Sequence, residues 1–448
     1  MDLNKFSKNP NSGIKLWAKA KEIIPGGNGL LSKRPERYAP DIWPTYFKSC
    51  KGVNVTDLNN KTFIDMAQMG IGTSILGYAN NELVKATNEA SLKGINCTLN
   101  SYEEFELAER LLHFCPTFNK VKFARSGGEA MAIAIRIARA ATGKDKVVFS
   151  GYHGWEDWYL AANINQENTD RLSEHLLPGL EPLGVPRGLS NTAIPFLYND
   201  IEDFKRVMRY HDDIGIICIE GARYDLPNNE FLDEIKKVAE QKNILLISDE
   251  ITSGWRMTDG GVYKLNSYDP DIVVFGKGMG GGYAISAIVG KKNCMEYANN
   301  TFISSTMWTE RIGFVAALKT LEILEKNKLW EYFIKIGKKL TIGWKIKAKK
   351  YNLKLETTNF FPLATFKLCY DDLNPYILTL FTQEMLKRGY LASSSVYISM
   401  SHTETIIDRY IDVLDEVFPL LSQAIKENDF KKYLKTEVRN DSFKRLTE

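Results

Sequence analysis

The spacing of apolar residues along this chain changes period several times, and each change predicts an element. Residues 15–23 carry a helical spacing that Pro25-Gly26-Gly27 breaks, opening an irregular stretch to about residue 45. Short strand signals between Val53 and Asp65 flank Asn59-Asn60, a plausible hairpin turn. Residues 81–92 and 102–113 read as helices; Ser101 is placed to cap the second, with Glu104 completing a capping box. From about residue 119 the pattern becomes strand, glycine turn, helix, strand. Strands are predicted at Lys120–Phe123, Lys146–Phe149, Gly215–Glu220, Ile244–Ser248, Ile272–Phe275 and Ala284–Val289, with helices at Ala130–Ala141 and 230–240. Short apolar runs separated by helices predict an α/β architecture, a mostly parallel sheet covered on both faces. Helices follow at 311–326 and Phe333–Lys350, then strands at 361–368 and 390–399 and a helix at 405–423. The expected division is an N-terminal segment 1–75 contributing to a small domain, a large domain 76–345, and a C-terminal small α+β domain 346–448.

At 448 residues the chain exceeds the size at which one core stops growing, which agrees with that division. Basic and acidic side chains nearly balance, 58 against 55, so charge offers no argument for nucleic acid or an anionic membrane as partner. Six dispersed cysteines without a CxxC pair predict a reducing compartment. Met1-Asp2-Leu3-Asn4-Lys5 leads into polar sequence without the apolar stretch of a signal peptide, and no apolar run is long enough to span a bilayer. The expected location is the cytoplasm. The last 20 residues are highly charged and are expected at the surface.

Lys277 lies between the apolar run Val273-Val274-Phe275 and the glycines of Gly276-Lys277-Gly278-Met279-Gly280-Gly281-Gly282. There an amine can reach a bound carbonyl cofactor, although Gly-Lys-Gly also fits a solvated turn. Asp249 ends the strand before it, where ligands gather in parallel sheets. A Schiff-base lysine and a carboxylate for a pyridine nitrogen are the two groups that pyridoxal phosphate chemistry requires. Ser126-Gly127-Gly128 between strand and helix is a candidate phosphate cradle, or simply an efficient helix entry. Tyr152, emerging from a strand end with His153 beside it, is a candidate ring-stacking residue, and Ile251 can pack on the opposite ring face. Glu220 is placed either to hydrogen-bond near the Schiff base or to cap a loop. The lysine is not in a nucleotide P-loop, the early GxGxxG of a nicotinamide enzyme is missing, and the five histidines (113, 153, 175, 211, 402) lack metal-ligand spacing. No metal is therefore expected.

In order along the chain, Ile24-Pro25-Gly26-Gly27, Phe63-Ile64-Asp65-Met66, Gly77-Tyr78-Ala79-Asn80, Phe123-Ala124-Arg125-Ser126-Gly127-Gly128-Glu129-Ala130, Tyr152-His153-Gly154, Asp249-Glu250-Ile251 and Gly276-Lys277-Gly278 form a set. Over roughly residues 15–425 the chain resembles the class III, fold-type I pyridoxal phosphate aminotransferases, in the branch containing glutamate-1-semialdehyde 2,1-aminomutase. The resemblance implies a seven-stranded, mostly parallel sheet in the large domain. It implies that Ser126, Gly127 and Gly128 hold the cofactor phosphate, Tyr152 stacks on the ring, Asp249 pairs with its nitrogen, and Lys277 forms the covalent link. Thr306 falls where the family has a threonine that reaches the phosphate of the neighbouring subunit, which implies a homodimer with sites at the interface. Asp249-Glu250-Ile251-Thr252-Ser253-Gly254-Trp255-Arg256 follows the aminomutase branch.

Three segments depart from that branch. Asn28–Pro35 replaces the mutase's substrate-pocket segment, Phe302–Arg311 lacks its Gly-Asn-Pro, and Ala392–Ser399 has no glutamate before Ser401-His402-Thr403-Glu404. The expected activity is transamination from an amino donor to a keto or aldehyde acceptor, with keto sugars, keto acids and small aldehydes all open. An intramolecular aminomutase of the glutamate-1-semialdehyde type is the alternative. A catalytically silent binding subunit would not require both Lys277 and Asp249. Arg34, Trp43, Trp155, Trp308 and Arg311 are substrate-pocket candidates by position; the two arginines can clamp an acidic group, or serve only as surface ion pairs.

Overall fold

The computed structural model describes residues 12–164 and 180–440, so His175, Met1–Lys5 and the end of the charged tail lie outside the described residues. Contacts divide the chain into two units: Met1–Asn80 with Tyr332–Glu448, and Asn81–Glu331.

The first unit opens with β1 (Phe47–Lys51), β2 (Asn54–Asp57) and β3 (Thr62–Met66), an antiparallel meander. Its second turn runs through Asn60 at φ 64°, a conformation asparagine tolerates better than most residues.

The second unit contains β4 (Lys120–Ala124), β5 (Lys146–Ser150), β6 (Ala193–Pro195), β7 (Ile214–Glu220), β8 (Leu245–Asp249), β9 (Ile272–Phe275) and β10 (Ser286–Gly290). They form one seven-stranded sheet in the order β4-β10-β9-β8-β7-β5-β6. β10 is antiparallel to both neighbours and every other pairing is parallel. The mostly parallel α/β sheet expected from the apolar runs is thus present. Its strands are apolar throughout because both faces are covered: Ile216 and Cys218 of β7 join one core cluster, Ile217 and Ile219 the other. The helix Gly127–Thr142 buries Ala130, Met131, Ile133, Ala134, Ile135, Ile137 and Ala138, whose three alanines let it lie close to the sheet. On the opposite face Phe204 and Val207 of the helix Ile201–Tyr210 and Phe231 and Ile235 of the helix Asn229–Lys242 supply the packing.

The chain then returns to the first unit with β11 (Leu355–Thr357), β12 (Leu363–Leu368), β13 (Tyr390–Ala392) and β14 (Ser395–Tyr397). β13 adds to β3 in parallel, while β11, β12 and β14 make a separate antiparallel sheet.

Several local expectations change. The strand predicted over 390–399 is split into two because Ser393 turns the chain, its hydroxyl donating to the Ser395 carbonyl at 3.1 Å. The helix Asn374–Lys387 and β6 were not predicted; β6 has three residues and ends in Pro195, which only an edge strand accommodates. Ser101 is the N-cap of Tyr102–Phe114 but makes no capping box with Glu104. Its hydroxyl bonds Glu103 instead, whose carboxylate also binds Arg311. The capping box forms at Ser126 and Glu129.

Candidate active site

Lys277 follows β9 and Gly276, and opens a short 3₁₀ turn, Lys277–Gly280. Its φ of 41° is a left-handed conformation costly for a side-chain-bearing residue, and such strain concentrates at working sites. The amine donates to Thr252 Oγ1 at 2.8 Å. Burial first, then the Arg223 guanidinium, push it down to about 8, while Glu220 and Asp249 pull the other way. An amine so depressed is available as a nucleophile near neutrality.

Asp249 ends β8, the strand adjacent to β9, with Asp249 opposite Val274. It is fully buried, and its Oδ1 accepts from the Ile251 amide at 3.0 Å. Oδ2 lies 2.9 Å from His153 Nδ1, and His153 Nε2 lies 3.2 Å from the Ser150 carbonyl. A carbonyl only accepts, so Nε2 carries hydrogen. Burial disfavours charge on this imidazole, but Cys218 and the hydrogen bond to Asp249 outweigh it and raise His153 well above its ordinary value. A buried cationic imidazole thereby stabilises a carboxylate at the strand's end.

Three segments meet at the start of the helix Gly127–Thr142. A Cβ on Gly127 would lie 3.0 Å from Ile251 Cδ1, and one on Gly128 3.1 Å from both Trp155 Nε1 and Glu156 Oε1. One on Gly154 would lie 3.1 Å from Gly128 Cα, and Gly154 has φ 111°, so the loop crosses the helix start only as glycine. Ser126 accepts from the Glu129 amide, and Glu129 Oε2 accepts from the Ser126 amide at 2.9 Å. The amides of Gly127 and Gly128 have no acceptor among the described residues. At the positive end of a 16-residue helix they suit an oxyanion.

Tyr152 is partly buried and meets Tyr159 edge-on, with ring centroids 5.8 Å apart. Its amide donates to Glu220 Oε2 at 3.1 Å. Arg223, on the turn after β7, lies over the Tyr152 ring with Cζ 5.2 Å from the centroid. A covalently reactive amine, a carboxylate backed by a cation, an aromatic face and an anion cradle therefore come together within one unit.

The model of the aminotransferase class-III family matches residues 38–355. The chain belongs to that family. A 3-aminobutyryl-CoA aminotransferase from Cloacimonas acidaminovorans is 32% identical, covering 79% of this chain and 83% of that one. A glutamate-1-semialdehyde 2,1-aminomutase from Wigglesworthia glossinidia brevipalpis is 30% identical, covering 92% and 98%. Among solved structures, a transaminase with pyridoxal phosphate bound superposes with a TM-score of 0.81 at 25% identity, covering 91% and 97%. This class-III aminotransferase is an enzyme of the fold-type I architecture, and pyridoxal phosphate is its cofactor. The open Gly127–Gly128 amides and the buried Asp249 fit that group.

The remaining candidates scatter. Trp155 is exposed at the Gly128 turn. Trp308 Nε1 lies 3.4 Å from Glu129 Oε1, so its ring borders the same helix start. Thr306 is exposed and opens the 3₁₀ turn Thr306–Thr309. Arg311 Nε donates to Glu103 at 2.9 Å, a pairing that already satisfies its charge. Arg34 and Trp43 belong to the other unit. Trp43 is buried and stacks on Tyr38 at 4.1 Å, while Arg34 is partly buried with its Nε lacking a hydrogen-bond partner. Three further residues belong to the neighbourhood and carry no signal in an unaligned sequence: Thr252, Arg223 and Arg125. Arg125 Nε donates to the Met307 carbonyl at 2.6 Å and a terminal nitrogen to that of Trp308 at 3.1 Å, anchoring the segment that bears Thr306.

Proposed function

We propose that this aminotransferase carries its reaction on Lys277 and Asp249, moving an amino group from a small-molecule donor to a keto or aldehyde acceptor. The observation that supports this most is their emergence from the same ends of adjacent parallel strands, the amine depressed and the carboxylate backed by His153. The Gly127 and Gly128 amides and Ser126 would hold the cofactor phosphate, Tyr152 and Ile251 would contact its ring, and Asp249, with Glu220 nearby, would hold the ring nitrogen protonated. When bound, the cofactor supplies an electron-withdrawing ring that stabilises negative charge at the amine-bearing carbon. Lys277 Nζ, which donates to Thr252 Oγ1, would hold the cofactor and would serve as the base that moves the proton at that carbon.

A homodimer completes the site in this reading, with Thr306 reaching the neighbouring subunit's phosphate. Leu99, Tyr102, Phe105, Phe302 and Met307 are large apolar side chains exposed on the unit that carries the site, Phe302 at 88%. A second copy would cover them. Six free thiols support a cytoplasmic location, and no helix among the described residues is long and apolar enough to cross a membrane. No nucleic acid or metal has a part in this reading, and Trp155 and Trp308, which border the start of the helix Gly127–Thr142, stay candidates for substrate contact.

The aminomutase alternative rests on the 30% identical relative that spans 92% of this chain. Borohydride treatment of the purified holoenzyme followed by peptide mass analysis tests the centre: the cofactor should be fixed to Lys277, and Lys277→Ala should abolish both fixation and turnover. Fixation elsewhere, or none, would overturn the assignment. Mixing single amines with the enzyme separates the two reactions. Release of a carbonyl product that waits for a second substrate is transamination; isomerisation of one compound alone is the mutase.

A further inference from the structure

We infer that Arg125 is a positioning residue that acts across the dimer. It clamps the turn Thr306–Thr309 to the strand end that leads into its own phosphate cradle, so each subunit's Arg125 sets phosphate affinity at its neighbour's site. The inference rests on the dimeric pyridoxal phosphate centre proposed above, in which Thr306 reaches the neighbouring phosphate, and adds what holds that threonine in place.

Arg125 stands between Ala124, the end of β4, and the helix cap Ser126. Its side chain is only 12% exposed, and its donors are directed at main-chain carbonyls of two distant segments. Nε donates to Met307 at 2.6 Å, and one terminal nitrogen donates to Trp308 at 3.1 Å and to Glu310. The other terminal nitrogen reaches the Ala284 carbonyl, just ahead of β10, at 3.4 Å. Cζ lies 4.9 Å from the centre of the Phe314 ring, and the Glu310 carboxylate is 3.7 Å away. That carboxylate caps the following helix, Arg311–Lys326, by accepting from the Ile312 and Gly313 amides. A planar fork of five donors can serve several carbonyls at once, which a single ammonium cannot. Gly313 completes the fit, because a Cβ there would fall onto the guanidinium.

The clamped turn has little else to fix it. No residue of Thr306–Thr309 is buried, and its second polar tie is Trp308 Nε1 to Glu129 Oε1 at 3.4 Å. Glu129 Oε2 in turn accepts from the Arg125 and Ser126 amides at 3.2 and 2.9 Å. Both ties therefore end on the segment Arg125–Glu129, whose Gly127 and Gly128 amides are offered to one phosphate while its side chains place a hydroxyl for the other. Hydrogen bonds weaken steeply with misalignment, so a loosened turn reduces affinity for the phosphate and leaves contacts to the ring unchanged.

The test titrates full-length apo-protein with pyridoxal phosphate and with pyridoxal, which lacks the phosphate. In Arg125→Gln the Kd for pyridoxal phosphate should rise about tenfold while that for pyridoxal stays at the wild-type value, and Arg125→Lys should restore part of the loss. Gly313→Ala keeps the arginine but displaces it, and should show the same phosphate-selective loss even where Arg125→Gln does not fold. A mixed dimer of Arg125→Gln and Lys277→Ala subunits tests the direction of action. Its one competent lysine lies in the Arg125→Gln subunit and is served by a neighbour with an intact clamp. Borohydride fixation on that subunit should follow the wild-type dependence on cofactor concentration. Parallel loss of both ligands, wild-type cofactor affinity in both Arg125→Gln and Gly313→Ala, or a mixed dimer as defective as the Arg125→Gln homodimer would overturn the inference. Thr306→Val separates the two levels. A phosphate-selective loss there with none in Arg125→Gln overturns the clamp alone, whereas no loss there removes the shared phosphate site and the clamp with it.

Discussion

At Lys277 burial and a neighbouring guanidinium act against two carboxylates, and the balance leaves the amine at about 8 rather than its ordinary 10.5. At pH 7 about a tenth of it is neutral, against about three parts in ten thousand for an unperturbed lysine. Between those two values the unfolded chain binds a proton that the folded apo-protein does not, so this group's contribution to stability rises with pH across that window. The rate of pyridoxal phosphate attachment to apo-protein should therefore increase about tenfold per pH unit up to about 8 and then level off. Thr252→Val removes the acceptor of the charged amine and should move that break to lower pH, by roughly half a unit to one unit. Stopped-flow absorbance reads both; a break still near 10 would refute the burial argument. His402 illustrates the same physics in the other unit. Burial lowers it to about 4, against a small opposing effect of Asp65, and it stays neutral with Nδ1 accepting from the Ser399 amide at 3.0 Å and Nε2 on the Asp65 carbonyl at 2.9 Å. The unfolded chain takes up its proton from 6.5 downward, so stability should fall by up to about 3 kcal/mol as pH drops from 6.5 to 4. His402→Gln should flatten that part of the stability profile in denaturant titrations.

Elements differ in how they use the same small residue. Gly337 lies within the helix Leu329–Lys350, where a Cβ would clash with the carbonyl oxygen of Phe361 and lie 2.6 Å from its carbon. Backbone cannot yield there, so Gly337→Ala should destabilise by about 1–3 kcal/mol despite the gain of up to about 1 kcal/mol in helix propensity. At Gly127 the obstacle is Ile251 Cδ1, the far end of a flexible side chain. Gly127→Ala should leave the melting temperature nearly unchanged while weakening pyridoxal phosphate binding at least tenfold, about 1.4 kcal/mol. Fluorescence titration of apo-protein distinguishes a helix start that serves a ligand from one that serves only the fold. The helix period and the Ser-Gly-Gly-Glu signal were legible at this start. The intended cap at Ser101 was not, because what diverts its hydroxyl is Glu103, and Glu103 is held by Arg311 some two hundred residues away.

For the whole molecule, the exposed apolar side chains between Leu99 and Phe105, with Phe302 and Met307, predict association. Phe105→Asp should shift the sedimentation profile toward monomer and lower activity in proportion to the monomer fraction, because the proposed site takes Thr306 from a neighbouring subunit. Wild-type thermal stability should rise with protein concentration, as for any folded state stabilised by self-association. A monomeric wild type at micromolar concentration would remove the dimer from the proposed mechanism.

Local patterning alone determined the parallel sheet, the glycine-bounded lysine and the strand-terminal aspartate. Each is written in a few consecutive residues, since an apolar run long enough for a buried strand and a glycine where backbone approaches closely leave marks that need no partner. Tertiary structure alone decided which charges act on one another. His153 behind Asp249, Thr252 under the Lys277 amine, Arg223 over Tyr152 and Glu103 on Arg311 are meetings of distant segments. Electrostatic and hydrogen-bond energies depend on separations of a few ångströms and on local burial, and the order of residues along a chain specifies neither until the chain is folded.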